Sequence, residues 1–226
     1  MRHHRRAARA RLRWNGARVV RVWLLGGFRV SVGSRTIEAS GWRLRKARSL
    51  VKLLALARGH RLHRGQVTDL FWPDLEAEAA ANNLYRILHF ARGSLEVTPS
   101  NTTDRYLQLQ GDMLALCPDG TLWVDAEAFE EAAGTPRRSR GPAAYRAAIE
   151  LYTGELLPED RYEEWTQERR AELRRTYLEL LAELARLHEE REEYKPAIEV
   201  LRLAVSEEPA GEGAHAGLMR LHALTG

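Results

Sequence analysis

A chain of 226 residues with 44% hydrophobic and 29% charged residues has the composition of a folded globular protein, which excludes a disordered chain. Its single cysteine, Cys117, excludes an internal disulfide framework, and no apolar run approaches the roughly 18 residues that a bilayer-spanning helix needs. The length predicts one large domain or two domains of roughly 100 residues each.

The formal net charge of +4 hides an uneven distribution along the chain. Residues 1–100 contain 20 Lys and Arg against 6 Asp and Glu, whereas residues 101–226 contain 15 against 25. Residues 1–21 carry eight arginines and no acid, and they lack the apolar core of a secretory signal. The remaining part of the first half still has a surplus of six positive charges. This asymmetry predicts a polyanion-binding half beside a half with another task; a basic tail on a neutral protein is the alternative.

The first predicted elements are short strands over residues 22–39, where β-branched and aromatic residues are interrupted by Gly26-Gly27 and Gly33-Ser34. From Trp42 the apolar residues recur every three or four positions, which predicts an amphipathic helix ending near Gly59. The pattern assigns five cations to its polar face: Arg43, Arg45, Lys46, Arg48 and Lys52. A shorter helix is predicted over residues 64–71, before Pro73.

The next segment, "EAEAAANNLYRILHFARGSLE", predicts a third helix over residues 76–95 with one apolar and one polar face. After it, Tyr106–Leu109 and Met113–Leu116 alternate around a turn at Gly111-Asp112, which predicts a β-hairpin. Strands, three helices and a two-stranded hairpin in this order predict a winged helix-turn-helix.

From Asp125 onward the sequence predicts helices almost throughout, with bounds near 125–133, 142–152, 162–188, 194–205 and 213–223. Residues 178–211 fit the 34-residue tetratricopeptide period, with Ala185, Ala197 and Ala204 at positions of close helix approach. The predicted fold is mainly α: an α+β winged helix followed by an all-α domain. The predicted organisation is a basic tail (1–21), a winged-helix domain (22–120) and a helical domain (121–226). Such repeats bury their apolar faces by stacking, and the last predicted helix is the first helix of a repeat without its partner helix. This pattern predicts that the chain is part of a longer protein.

Several motifs resemble the bacterial transcriptional activator domain family, of the antibiotic-regulatory type: "LLGGFRVSV", "ARSLVKLLAL", "LFWPD", "AANNLYRIL" and, most specifically, "LYTGELLPEDRYEEW". The resemblance covers residues 22–226. It implies transcription activation at promoter repeats in double-stranded DNA, recruitment of RNA polymerase holoenzyme, and a location on the nucleoid in the bacterial cytoplasm. A homodimer on DNA is one arrangement that it leaves open. The family's recognition helix commonly ends in consecutive arginines, whereas this helix reads Ala91-Arg92-Gly93-Ser94.

The polar face of the third predicted helix supplies the candidate DNA-reading residues. Asn82, Arg86 and His89 are spaced four and three apart and therefore share one helix face. Asn pairs with adenine and Arg with guanine in the major groove. The base-reading candidates are Asn82, Asn83, Tyr85, Arg86 and His89, and the phosphate candidates are Arg43, Arg45, Lys46, Arg48, Arg92 and Arg105. The alternative is that Asn82 or Asn83 caps the helix and the other side chains are solvated surface.

The sequence carries no motif of a catalytic or metal site. It has no phosphate-binding glycine loop with its lysine, no His-Glu-x-x-His and no second cysteine, which predicts a non-enzymatic protein without a cofactor or metal. The tryptophans Trp42, Trp72, Trp123 and Trp165 are predicted to anchor cores or the contact between the two halves, with Trp123-Val124-Asp125 fixing the halves together. The alternative to an activator is an interaction or signal-sensing module whose winged helix is structural.

Overall fold

The computed structural model describes residues 19–96, 106–118, 122–135 and 141–225. The strands are β1 (Val20–Trp23), β2 (Arg29–Val32), β3 (Arg35–Ile37), β4 (Arg61–His63), β5 (Leu107–Gln110), β6 (Met113–Leu116) and β7 (Leu122–Val124). The helices are α1 (Arg45–Leu56), α2 (Arg64–Phe71), α3 (Ala77–Leu95), α4 (Asp125–Ala133), α5 (Pro142–Ile149), α6 (Glu164–Glu189), α7 (Tyr194–Glu207) and α8 (Glu212–Thr225). The predicted mainly α class is confirmed.

The N-terminal strands form a sheet of order β3-β2-β1-β7. β1 and β2 run antiparallel, as do β2 and β3, and Val20, Val22 and Val30 are completely buried. β7, which the sequence did not predict, joins the same sheet parallel to β1. The chain therefore returns to its own N-terminal sheet before the helical half begins.

The winged helix consists of α1, α2, α3 and a second sheet of order β4-β6-β5. The prediction for α2 is confirmed at both ends, and α3 begins one residue later than predicted. Two expectations were wrong. α1 begins at Arg45, so Arg43 precedes the helix instead of lying on it. The wing was predicted as a two-stranded hairpin, but its sheet also contains β4, whose three residues are too few to show an alternating pattern in the sequence.

In the helical half, each helix packs against the next one along the chain from α4 to α8. The predicted helix over residues 142–152 ends at Ile149, because the chain turns there and the Tyr152 amide donates to the Ile149 carbonyl. Ala185, Ala197 and Ala204 are all buried, as the repeat pattern predicted. At the α7–α8 contact a Cβ on Gly217 would lie 2.9 Å from Leu201 Cδ1, so these two helices also approach closely.

The two halves are joined by backbone hydrogen bonds between the turn after β1 and the segment after α5. The Gly26 amide donates to the Glu155 carbonyl at 2.9 Å, and the Leu157 amide donates to the Leu24 carbonyl at 2.8 Å. The Thr153 hydroxyl donates to the Leu25 carbonyl at 2.8 Å. The segment "LYTGELLPED" thus makes much of the contact between the two halves.

Asp125 adds a buried carboxylate to this joint. Its two oxygens accept the amides of Leu24 at 2.8 Å and Leu25 at 3.0 Å, across about 100 residues of chain. Burial raises the pKa of Asp125 to about 6, although the accepted backbone hydrogen bonds, including that from Ala126, act in the opposite direction. Asp125 therefore links the first turn of α4 to the end of β1.

Lys52 was wrongly predicted to lie on the exposed face of α1. Its side chain is completely buried, and its ammonium donates to Glu159 Oε1 at 2.8 Å and to Asp160 Oδ2. Burial raises the pKa of Glu159, but the hydrogen bond and charge of Lys52, together with hydrogen bonds from the backbone amides of Glu159 and Phe28, outweigh burial and leave the pKa below its ordinary value. The helical half covers this flank of α1, so a position that the sequence pattern assigns to solvent is an interdomain contact.

Candidate nucleic-acid interface

The polar face of α3 is open to solvent. Asn82, Tyr85, Arg86 and His89 are exposed and Asn83 is half-buried, while Leu84 and Leu88 on the opposite face are buried. The helix begins at Ala77, so Asn82 and Asn83 lie well inside it and neither caps it. The capping alternative is therefore wrong, and the helical half does not cover these side chains.

Four of the predicted site residues meet at one flank of α3. A groove of about 260 Å³ separates α3 from the start of α1, and it is lined by Leu44, Arg45, Lys46, Trp72, Asn83, Arg86 and Ile87. The side chains of Arg45 and Arg86 are exposed at this groove. The two exposed arginines and the Asn83 amide along one groove suit a backbone phosphate beside a base edge.

Tyr85 lies on the other flank of α3, toward α2. There a second groove of about 380 Å³ runs between α2 and the first half of α3, and Trp72, Leu75, Ala81 and Tyr85 line its apolar part. Leu75 and Tyr85 are 44% and 52% exposed, which is high for large apolar side chains. The structure therefore divides the predicted reading set: Asn83 and Arg86 line one groove, Tyr85 lines the other, and Asn82 and His89 line neither.

Lys46 is occupied by contacts within the winged helix. Its ammonium donates to the Phe71 carbonyl at the end of α2 and lies 4.8 Å from the centre of the Trp72 ring. Burial lowers the pKa of Lys46, and the nearby Glu163 partly offsets that effect. Lys46 thus ties the start of α1 to the turn that leads into α3.

The other predicted phosphate residues are placed differently from one another. Arg43 and Arg45 are exposed, and the Arg43 guanidinium lies 5.2 Å from the centre of the Phe90 ring. Arg48 is half-buried, and within the described residues its Nε has no hydrogen-bond partner. Arg92 Nε donates to the Leu107 carbonyl of β5 at 2.9 Å. Arg105 lies outside the described residues.

The end of α3 is attached to the N-terminal sheet. The Ser94 hydroxyl donates to the Gly41 carbonyl at 2.9 Å, and Arg35 Nη2 donates to the Ser94 carbonyl. The helix continues through Gly93 to Leu95, and among the described residues no atom lies within 4 Å of a Cβ built at Gly93. The glycine that departs from the family pattern therefore neither breaks the helix nor fills a close contact.

The predicted tryptophan anchors are found at both cores and at the joint. Trp42 is buried, and Trp72 and Trp165 pack half-buried against the core. Trp123 packs edge-on against Trp23, with ring centres 5.6 Å apart, where β7 pairs with β1. These side chains pack against other parts of the protein, and Trp72 also lines both grooves beside α3.

In the described ranges no helix is long and apolar enough to cross a membrane. Nor does the part of the chain that the structure describes bring together three His, Cys, Asp or Glu side chains able to hold a metal ion. Cys117 is buried at the end of the wing.

Residues 124–226 match the family model of the bacterial transcriptional activator domain. This part of the chain therefore carries that domain. The resemblance stated from the sequence motifs is thereby confirmed for residues 124–226, which match a domain named for bacterial transcriptional activators. No curated protein matches the chain.

A similar solved structure is Mycobacterium tuberculosis EmbR in complex with a low-affinity phosphopeptide. It matches 91% of this chain with a TM-score of 0.70 and 16% sequence identity. At that identity the likeness shows the fold, a winged helix followed by a helical domain. This chain spans 55% of the EmbR chain.

Proposed function

We propose that this protein is a sequence-specific DNA-binding transcriptional activator whose helix α3 enters the major groove. The observation that carries the proposal is the exposed face of α3, where Asn82, Arg86 and His89 point away from the core of a winged helix. Arg86 is suited to guanine and Asn82 to adenine, because each side chain can form two hydrogen bonds to the edge of that base. The proposal places the protein on the nucleoid in the bacterial cytoplasm.

The phosphate contacts proposed for DNA come from the exposed cations around α3. Arg43 and Arg45 stand near the start of α1, and Arg45 shares a groove with Asn83 and Arg86. Cations at such positions set affinity and register without reading sequence. The predicted organisation into a basic tail, a winged helix to residue 120 and a helical domain from 121 remains part of the proposal.

The helical half is proposed to contact RNA polymerase holoenzyme or to mediate regulation. Asp125 and Lys52 couple this half to the winged helix through buried hydrogen bonds. A contact made on the helical half would therefore be held at a defined position relative to α3. Promoter repeats would bring two copies together, so the proposal includes a homodimer that forms on DNA.

The second candidate is a protein-interaction or signal-sensing module with a structural winged helix. It is favoured by Lys46 and Arg92, which were predicted to bind phosphate but donate hydrogen bonds to backbone carbonyls of the protein itself. Fluorescence anisotropy on a random duplex at low and moderate salt separates the candidates. The activator should bind with micromolar or tighter affinity that falls steeply with salt, by about 0.9 in log–log slope for each phosphate contact. No binding at low salt would favour the interaction module.

Base reading has its own test. Arg86→Ala should weaken binding to a site selected from a random duplex pool more than it weakens binding to random DNA. The losses of binding free energy on the two DNAs should differ by roughly 1–3 kcal/mol. Arg45→Ala is the matched control, because Arg45 lines the same groove but is assigned to phosphate. It should weaken binding to both DNAs alike. Equal losses on both DNAs for Arg86→Ala would remove Arg86 from the reading set.

A further inference from the structure

One backbone carbonyl of β5, the outer strand of the wing sheet, forms no hydrogen bond with the neighbouring strand β6. β5 lies at the edge of the sheet, with β6 as its partner. The Cys117 amide donates to the Tyr106 carbonyl at 2.8 Å, and the next pair in the register is Leu107 with Leu116. Hydrogen-bonded and non-hydrogen-bonded pairs alternate in an antiparallel ladder. The Leu107 carbonyl therefore points away from β6.

Arg92 of α3 binds this carbonyl. Its Nε donates to Leu107 O at 2.9 Å, while the Leu107 side chain is completely buried beneath the sheet. Arg92 is three residues beyond His89 and six beyond Arg86, so it follows the exposed face along the same helix. Arg92 therefore connects α3, the proposed reading helix, directly to β5 of the wing sheet.

We propose that Arg92 is a positioning residue, which holds the wing at a fixed position relative to α3 by donating a hydrogen bond to the Leu107 carbonyl. This inference rests on the proposed function, in which α3 and the wing contact DNA together. The directed Nε–H is then the property of Arg92 that holds the wing in place. A phosphate contact would have the opposite requirement, because phosphate attraction depends on charge.

Two substitutions separate these requirements. In Arg92→Gln the side-chain amide nitrogen stands the same number of bonds from Cα as Nε does in arginine, so a neutral donor still reaches Leu107 O. Arg92→Met has a similar length but no donor. Both variants lose the same charge, so any difference between them reports the hydrogen bond. The positioning role predicts that Arg92→Met binds a random duplex roughly five- to tenfold more weakly than Arg92→Gln, the worth of about one hydrogen bond.

The binding measurement is fluorescence anisotropy across a salt series, and hydroxyl-radical footprinting on the same duplex reports protection by the wing. We expect wing protection to persist in Arg92→Gln and to disappear in Arg92→Met. Equal losses of affinity in the two variants, with the salt slope lowered by about 0.9, would show a phosphate contact and overturn the proposal. Unchanged binding in both variants would overturn it as well.

A measurement without DNA keeps this inference separate from the proposed function. Amide hydrogen exchange in free protein should be faster for β5 in Arg92→Met than in wild type, and unchanged in Arg92→Gln. If wild type binds no DNA at low salt, the proposed function fails while the exchange data still test the wing contact. Equal β5 exchange in wild type and Arg92→Met would refute the contact itself.

Discussion

Replacing Lys52 by methionine removes the buried cation that joins α1 to the helical half. The lysine side chain is 0% exposed, whereas Glu159 and Asp160 are 32% and 12% exposed. Removing one partner of a buried ion pair typically costs about 3–5 kcal/mol, because the remaining charge loses its partner without regaining water. Glu159 can partly rehydrate and also accepts the Phe28 amide at 3.1 Å. We therefore expect Lys52→Met to lower the free energy of unfolding by about 3 kcal/mol, at the lower end of that range.

The assay is urea unfolding at pH 7, followed by tryptophan fluorescence. The triple variant Lys52→Met, Glu159→Gln, Asp160→Asn removes the stranded charges and should recover more than about 1 kcal/mol of the loss. Lys195→Met is the matched control, since Lys195 is exposed on α7, and it should stay within roughly 0.5 kcal/mol of wild type. A loss below about 1 kcal/mol for Lys52→Met, or no recovery in the triple variant, would refute the buried-pair reasoning.

Three further predictions concern the joint between the two halves, α3 and the start of α1. Folding raises the pKa of Asp125 from 3.8 to about 6, so its contribution to stability is full below pH 3.8 and is lost as the pH rises through 6. Relative to Asp125→Asn, wild type should therefore lose on the order of 3 kcal/mol of unfolding free energy between pH 4 and 7 in urea titrations, and a pH-independent difference would contradict this. Gly93→Ala should raise the free energy of unfolding by roughly 0.5–1 kcal/mol, because Gly93 is helical and a Cβ there meets no atom of the described residues; a lower melting temperature would disprove it. Lys46→Met should lower the unfolding free energy by about 1–2 kcal/mol, because it removes the hydrogen bond to Phe71 and the contact with Trp72, and an unchanged urea midpoint would argue against that role.

The sequence by itself determined the elements whose signals are local. α2 is bounded by His63, whose ring accepts the Gly65 amide, and by Trp72 before Pro73, so both ends are encoded within a few residues of the helix. The apolar stripe of α3 likewise predicted its buried face, and with it the exposure of Asn82, Arg86 and His89. Motifs such as "LYTGELLPEDRYEEW" predicted the family, although they did not reveal that this segment joins the two halves.

Only the tertiary structure decided which cations are available to a ligand. Lys52 and Arg45 are seven residues apart on α1 and look alike in the sequence, yet one is buried and the other exposed. The partners of Lys52 lie more than 100 residues away, and periodicity along a helix reports one buried face but not a second element packed on its flank. β7 was missed for a related reason, since three residues gain their strand pairing only from distant β1. The charge on a side chain is a local property, whereas its freedom to meet DNA depends on what the rest of the chain packs around it.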